Sequence, residues 1–299
     1  MSDSSTKKVA PLTRIIQAVN TIEEGKYKPD LLADLIKQTD DLAQLARVID
    51  SMGRGVAFRY KQLRLLQRVI PIGVALSAEK DFNRLLETLV IEAQRVTNAD
   101  AGTLYLLENN ALKFVIVRTT SLKITMGGTS RQDIPFRPVP LYHPDGAENY
   151  TNVASYAALK RQKVVVADAY ETSANFDFSG TKSFDAGTGY HSKSFLTIPL
   201  EGQDKNVIGV LQLINATDQD TGRIIPFASD DALEALVLLA SAALDGYIRE
   251  EKLRAEIAKL RIQIDESNRA KQVAEITDTL YFKELKDRAK EMRTRQSEK

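Results

Sequence analysis

The sequence predicts an α+β protein: an antiparallel sheet with flanking helices, preceded by a helical segment and followed by a long coiled-coil helix. Three observations predict it. Residues 11–63 carry two amphipathic stretches with apolar residues three and four apart, which is helical spacing. Short β-branched and aromatic runs between 103 and 214 alternate with turn-forming residues, which is strand spacing. Beyond 230 an apolar run narrows into a heptad seam surrounded by charge.

The first element opens at Pro11, whose fixed φ suits the start of a helix. Leu12, Ile15, Val19 and Ile22 follow on one face, and Gly25 with Pro29 ends the run. A second run, Leu42, Leu45, Ile49, Met52, Val56 and Leu63, makes an a/d seam. From periodicity alone, a helical hairpin folded on its neighbour and a bundle shared between chains fit equally well. Leu65, Leu66, Val69, Ile70 and Val74 carry the pattern across Pro71, predicting a kinked connecting helix over 64–80.

In the central region, Phe82, Leu85, Leu86, Leu89, Val90, Ala93 and Val96 share a helical face. Strands are expected at 103–107, 112–117, 164–166, 194–200 and 207–214, with helices on one side of the sheet and a short helix capped by Asn152. Residues 119–140 and 168–193 read as long polar loops. Such loops inside a compact domain are uncommon and usually functional. The second holds Asp177, Asp185, Thr188 and Ser192 interleaved with Phe176, Phe178, Phe184 and Tyr190. That mixture of hydrogen-bonding and stacking surface suits a lid over a ligand, and equally a surface loop anchored by its aromatics. The helix opening at Asn152 is expected to offer free N–H groups to an anion.

At the C-terminal end, Leu233–Leu244 is almost wholly apolar, and Ile248, Leu253, Ile257, Leu260 and Ile264 continue as a seam. A helix over 229–274 would run ~69 Å at 1.5 Å per residue. Its outer half needs a second chain to bury the seam, or else stands solvated and laced with i,i+4 ion pairs. Residues 276–295 read as a short amphipathic helix.

The 299 residues, at roughly 150 per domain, suggest two units. A content of 43% hydrophobic and 27% charged residues is ordinary for a soluble globular protein. The net charge of +1 gives no reason to expect nucleic acid. With no cysteine, disulfides, thiolate metal sites and cysteine nucleophiles are excluded, and a reducing cytoplasm is the expected setting. Membrane association would require an upstream anchor. The chain has no phosphate-binding glycine loop. Both of its histidines, His143 and His191, lie in the central region, too few and misplaced for a metal-dependent phosphodiesterase or a histidine kinase. No catalytic residues, no metal site and no enzyme activity are expected.

Two resemblances sharpen the reading. Residues 11–63, with Pro11, Gly25, Leu32, Leu35 and Asp40-Asp41-Leu42-Ala43 as landmarks, resemble a HAMP domain, although Asp41 and Ala43 depart from its usual Asp-Glu-hydrophobic-Gly. HAMP units resemble parallel four-helix bundles of two chains that relay conformational change. Residues 81–244 carry Asn152-Val153-Ala154-Ser155-Tyr156, Val166-Ala167-Asp168-Ala169-Tyr170, Asn175-Phe176, Asp185-Ala186-Gly187-Thr188-Gly189-Tyr190, Ile198-Pro199-Leu200 and Gly209–Asn215. In that order they resemble a GAF domain of the type regulating cyclic-nucleotide phosphodiesterases and adenylate cyclases. The resemblance implies a cyclic nucleotide as ligand, approached by Val153, Ala154, Asp185, Thr188 and Ser192. Gln212 falls where some binders have an acidic residue, and Phe176 and Tyr190 complete the expected site. The family's Asn-Lys, Phe, Asp-Glu motif here reads Asn215-Ala216, Phe227 and Asp231-Ala232. Its Lys–Asp ion pair is therefore lost, and Asp231 must be solvated or paired elsewhere. A covalent bilin through cysteine is excluded, and haem would have only His143 or His191.

The expected organisation is a HAMP-like segment (11–63), a connecting helix (64–80), a GAF sensor (81–244) and a coiled coil with amphipathic tail (245–299). The expected assembly is a homodimer through its terminal helices, passing a signal to a downstream protein. A dimerisation scaffold without ligand, or the regulatory fragment of a cyclase or phosphodiesterase, remains the alternative.

Overall fold

The computed structural model describes residues 3–171, 176–277 and 280–297. Asn175 of the GAF-like blocks lies outside them, as do residues 278 and 279 of the expected tail helix. The chain divides into two units, 1–243 and 244–299.

The first unit opens with α1 (Asp3–Glu23), a short 3-10 turn (Pro29–Leu31), α2 (Ala33–Ile36) and α3 (Asp41–Ala78). Helix α1 starts ahead of Pro11 and carries it inside, where its missing N–H removes one i→i−4 bond. Helix α3 runs unbroken from Asp41 through Pro71, so the second amphipathic stretch and the connecting segment are one element. Asp40 caps it, accepting from Ala43 N at 2.9 Å.

Only part of each apolar seam is buried within the hairpin. Ile15, Ala18, Tyr27, Leu32, Leu35 and Ala46 form its core, with Ile22, Leu42 and Ile49 against them. Leu12, Ile16 and Val19 on α1 and Leu45, Val48 and Met52 on α3 stay exposed. The connector is pinned by arginines: Arg14 donates to Leu31 O, and Arg47 to Ile36 O and Gln38 O. The Tyr27 hydroxyl donates to Asp50 Oδ1 at 2.7 Å, and Arg54 Nε donates to Asp50 Oδ2 at 2.7 Å. The Tyr27 ring lies on Gly53, where an added Cβ would meet it at 2.6 Å.

The sheet follows α4 (Phe82–Thr97) and has the order β3-β2-β1-β7-β6-β5, with β4 beside β2 and β8 beside β7. Its strands are β1 (Ala99–Glu108), β2 (Ala111–Thr119), β3 (Ile124–Gly127), β4 (Val139–Pro140), β5 (Val164–Val166), β6 (Phe195–Glu201), β7 (Val207–Thr217) and β8 (Ile224–Ile225). Every pairing is antiparallel. Helix α5 (Val153–Lys160) precedes β5, and α6 (Ser179–Thr188) lies between β5 and β6.

Three local readings change. The 119–140 stretch contains β3, which lengthens the sheet by pairing Ile124–Gly127 with β2. The 168–193 stretch contains α6, a helix among polar residues that the apolar-periodicity rule misses. The helices cover both faces of the sheet. Gly102 lies against Val90 and Gln94 of α4, whereas Tyr105 and Val210, of opposite parity, pack with Ala154 and Ala158 of α5.

In the second unit, α7 (Asp231–Thr277) continues from Leu244 onward, and α8 (Leu280–Ser297) follows. Leu253, Ile257, Leu260 and Ile264 are all exposed, so the predicted seam is unburied within one chain. Arg254 bridges Glu250 and Glu251 beside it. No helix among the described residues is long and apolar enough to cross a membrane.

Gly53→Ala is expected to cost about 1–3 kcal/mol through overpacking against Tyr27. Urea denaturation of the full chain measures it, and an unchanged midpoint would contradict the packing. Burial works to raise the Asp50 carboxyl, but the bonds from Arg54 and Tyr27 outweigh it and hold it low. The hairpin should accordingly keep this stabilisation above the ordinary carboxylate range, about pH 3.9, and lose it as pH falls further. In Asp50→Asn that acid-side loss should be reduced.

Candidate functional site

The antiparallel register builds the floor of a cavity of about 420 Å³. Pairing of Thr103 with Gln212 and Ala101 with Ile214 puts alternate residues of β1 and β7 on one face. Val117 and Thr119 of β2 join them, paired with Thr103 and Ala101. Asn152 and Val153 at the start of α5 border the cavity, as do Ser179, Gly180, Thr181 and Phe184 of α6. The walls are strongly aromatic: Tyr105, Phe114, Phe136, Phe178, Phe184, Tyr190 and Phe195 all line them.

Four of the eight expected site residues, Val153, Tyr190, Ser192 and Gln212, border this cavity. The Gln212 amide is held by its neighbours, Oε1 accepting from Tyr105 OH at 3.1 Å and Nε2 donating to Thr197 Oγ1 at 3.2 Å. One N–H and one lone pair of the amide remain for another partner. The Tyr190 hydroxyl donates to Asp100 Oδ2 at 2.7 Å, tying the end of the lid segment to the start of β1. Burial, and the Asp100 carboxylate beside it, push that phenol well up, so it stays a donor at any physiological pH.

The other four residues sit elsewhere, for physical reasons. Asp185 is buried and fully engaged, accepting from Ser192 N and Oγ at 2.8 Å each and from Tyr170 OH at 2.7 Å. It holds the lid segment to itself. Thr188 is exposed, its hydroxyl donating to Phe184 O at the end of α6. Phe176 stacks edge-on against Tyr156 and Phe178. Ala154 is buried with Tyr105, Leu112 and Val210. The histidines are not among the lining residues either; His191 stacks on Tyr170 at 4.4 Å.

The anion-friendly helix end also moves. Asn152 caps α5, taking Ala154 N and Ser155 N on its own Oδ1. Helix α6 has no side-chain cap from Phe178 at its N-cap position. Asp177 accepts from Ser179 N, the bonds from Ser179 hold its carboxyl low, and it borders the cavity together with Gly180 and Thr181 of the same turn. Arg118, the one cationic residue among the lining, is paired with Gly102, on the face that α4 covers. At this end of the cavity the α6 N–H groups of Gly180 and Thr181 stand beside the Asp177 carboxylate, which opposes their attraction for an anion.

Behind the lid, Asn215 takes φ 59° and ties the segment to β7. Its Oδ1 accepts from Lys193 N and Ser194 N, and its Nδ2 donates to His191 O. Asp231, which lacks its usual lysine because Ala216 stands there, pairs instead with Lys61 Nζ of α3 at 2.7 Å.

The GAF domain model matches residues 81–244, more than half of the chain. The chain belongs to the GAF family. GAF domains are regulatory and sensor domains found in phosphodiesterases and sensor kinases. Among curated proteins, the chain is 28% identical over 149 residues to a cGMP-specific 3′,5′-cyclic phosphodiesterase of Drosophila ananassae. The match covers 47% of this chain and 11% of that protein. A phosphodiesterase of the same description from Drosophila mojavensis is also 28% identical, with 47% and 12% covered. The chain thus spans about a tenth of the length of the curated relatives it matches. Among solved structures, the GAF domain of a phosphoenolpyruvate-protein phosphotransferase from Coxiella burnetii aligns at TM-score 0.45 and 15% identity. That alignment covers 65% of this chain and 98% of that one.

Thr103, Phe114, Phe136 and Thr181 line the cavity and were not expected. Strand alternation groups Thr103 with Tyr105, but does not tell which face of the sheet meets the lid. Phe136 carried no signal, because it lies in a stretch without periodicity.

Asp185→Asn should destabilise the chain by about 1–3 kcal/mol, since the amide loses the charge that strengthens the bonds from Ser192 and Tyr170 and keeps one acceptor oxygen instead of two. Thr188→Ala, at an exposed position, should change stability by no more than about 0.5 kcal/mol. Equal losses for the two in urea denaturation would refute the assignment of Asp185 as the residue that holds the lid.

Proposed function

We propose that this chain is a non-enzymatic signalling module whose GAF domain holds a small ligand beneath α6 and relays its occupancy through dimeric helices. The observation that carries the reading is the cavity of about 420 Å³ between sheet and α6, aromatic on its walls and bordered by the first turn of α6. Such a site suits a planar ring bearing one negative charge, which is the chemistry of a cyclic nucleotide. The ring would lie against the aromatic walls and hydrogen-bond Gln212, while Gly180 and Thr181 N–H groups receive the phosphate. Val153, Tyr190 and Ser192 would close around it. Asp185 and Thr188 would hold the lid's shape, with Phe176 and Ala154 packed behind. The likeness to phosphodiesterases described as cGMP-specific supports a cyclic nucleotide as the ligand class.

The relay reading treats residues 11–63 as a HAMP-like unit. Exposed Leu12, Ile16 and Val19 on α1 and Leu45, Val48 and Met52 on α3 form an apolar face that a second copy would cover. Leu253, Ile257, Leu260 and Ile264 would do the same in a coiled coil. The Lys61–Asp231 pair joins α3 to the first turn of α7, a physical route between the hairpin and the helix that leaves the domain. Relay requires the ligand to bind two helical arrangements unequally. The setting would be the cytoplasm, and the output a downstream signalling protein rather than nucleic acid.

Thermal shift with cyclic AMP and cyclic GMP tests the ligand. Binding at 100 times Kd adds about 2.7 kcal/mol to stability. If neither nucleotide raises the midpoint and native mass spectrometry finds no retained small molecule, the domain is a scaffold. Analytical ultracentrifugation tests the assembly: a dimer is expected, converted toward monomer by Met52→Glu with Leu45→Glu. A monomeric wild type at micromolar concentration would end the relay reading.

A further inference from the structure

Phe136 belongs to the chain between β3 and β4, which is tethered at both ends. At one end Gly127 N donates to Gln132 O at 2.9 Å. At the other, Val139 and Pro140 pair with Leu112 and Ala111, and Leu141 N donates to Asn110 O at 2.9 Å. Residues 133–138 take no regular structure between these anchors, yet Phe136 is half-buried and borders the cavity. Its ring stands 5.3 Å from Phe114 and 6.3 Å from Phe184, the latter edge-on at 74°. Phe184 rides on α6 and continues to Tyr190 at 6.4 Å, while Phe114 meets Tyr105 at 4.5 Å. Five cavity-lining rings therefore run unbroken from the sheet floor, through the 133–138 segment, to α6 and back to the segment behind it.

Four of those five rings are fixed by elements with other attachments. Tyr105 and Phe114 sit in paired strands, Phe184 on a helix, and Tyr190 on its bond to Asp100. Phe136, like Tyr190, is carried by irregular chain, but its ring has no hydrogen bond such as the one from Tyr190 to Asp100, and its contact with Phe184 is where two separately tethered segments meet at the cavity. An edge-to-face ring contact is worth only about 0.5–1.5 kcal/mol beyond area burial. A contact of that size opens readily and can be exchanged for contact with a ligand ring.

We propose that Phe136 and Phe184 form a two-jaw aromatic gate, with the 133–138 segment as a second closing element opposite α6. The gate rests on the reading of this cavity as the ligand site, and names Phe136 as a ligand-contacting residue of it. A planar ring entering the cavity would take over the faces that these two side chains now present to each other.

Hydrogen exchange of the full chain without ligand tests the mechanical half. Phe136→Ala should speed amide exchange across 179–188 by about two- to tenfold, the size of one aromatic contact, while α4 keeps its protection. Tyr142→Ala, two residues beyond β4 and 40% exposed, should leave 179–188 unchanged. Should Phe136→Ala perturb the whole fold, Phe136→Leu reads the same contact with the volume nearly kept. Wild-type exchange at 179–188 in a folded Phe136 variant would overturn the gate.

Cyclic AMP and cyclic GMP as probes test the other half. Phe136→Ala and Phe184→Ala should each speed dissociation of whichever nucleotide binds, and the double variant should be no faster than the faster single one. Multiplying effects would mean two independent contacts and no gate. If the wild type binds neither nucleotide, the cyclic-nucleotide reading fails, and the exchange experiment alone decides the gate.

Discussion

The two faces of the β1/β7 pair are the constraint on which the domain depends. Their register is fixed over seven residue pairs, from Ala99–Ala216 to Leu106–Gly209. A slip of one residue would exchange the faces completely. Leu104, Leu211 and Leu213 share the face that Gly102 opens to α4, and all three are fully buried. Thr103, Tyr105, Gln212 and Ile214 share the other, which carries the cavity floor. The same alternation that builds the core builds the site. Neither can be adjusted alone. Glycine is required where the layers come closest: a Cβ on Gly102 would meet Val90 at 2.6 Å.

Over that floor, the lid segment is held mainly by its own polar groups. Asp185 accepts three hydrogen bonds, Asn215 makes three, and Tyr190 reaches Asp100 across the sheet. Hydrogen bonds to a buried carboxylate contribute more than neutral ones, and breaking one leaves a desolvated group unpaired. The C-terminal end of α6 and the turn after it are therefore firmly tied. The N-terminal end of α6 is different: Asp177 accepts from Ser179 N there, and the first turn borders the cavity. This division leaves Asp185 bonded within the lid, while Asp177, Gly180 and Thr181 at the start of α6 border the cavity.

That division also explains what was legible in the sequence. The core helix α4, the long strands and the cap at Asn152 were readable because periodicity and capping are local signals. Lid composition pointed to the right segment, yet it could not tell which acceptors face inward. Asp185 and Ser192 look equally available as residue types. Seven positions apart in sequence, they find each other because α6 turns the chain back, and α6 has no apolar stripe to announce it. Gln212 was placed by resemblance and Tyr190 by the aromatic composition of the lid, whereas Phe136 had neither resemblance nor pattern behind it. Its position follows from the pairing of β4 with β2, a two-residue strand too short to read. Pro11 misled for the opposite reason. A proline preference for helix starts is statistical, and this helix tolerates one inside.

The lost lysine at Ala216 has a structural consequence beyond the site. Ala216 is buried at the edge of β7, paired with Ala99 and Ile225, a position where a lysine head group would have to find its way out to Asp231. With alanine there, Asp231 is free to turn to Lys61, thirty-odd residues before the sheet begins. Asp231 thus links the domain to the helix that enters it. Arg68 adds a second link from α3, donating to Val96 O in the last turn of α4. Both contacts are partly open to water, so they are weak and screened by salt. Strong links would lock α3 to the domain in one arrangement. Under the proposed relay, weak links would let a modest difference in ligand affinity shift the balance between two arrangements.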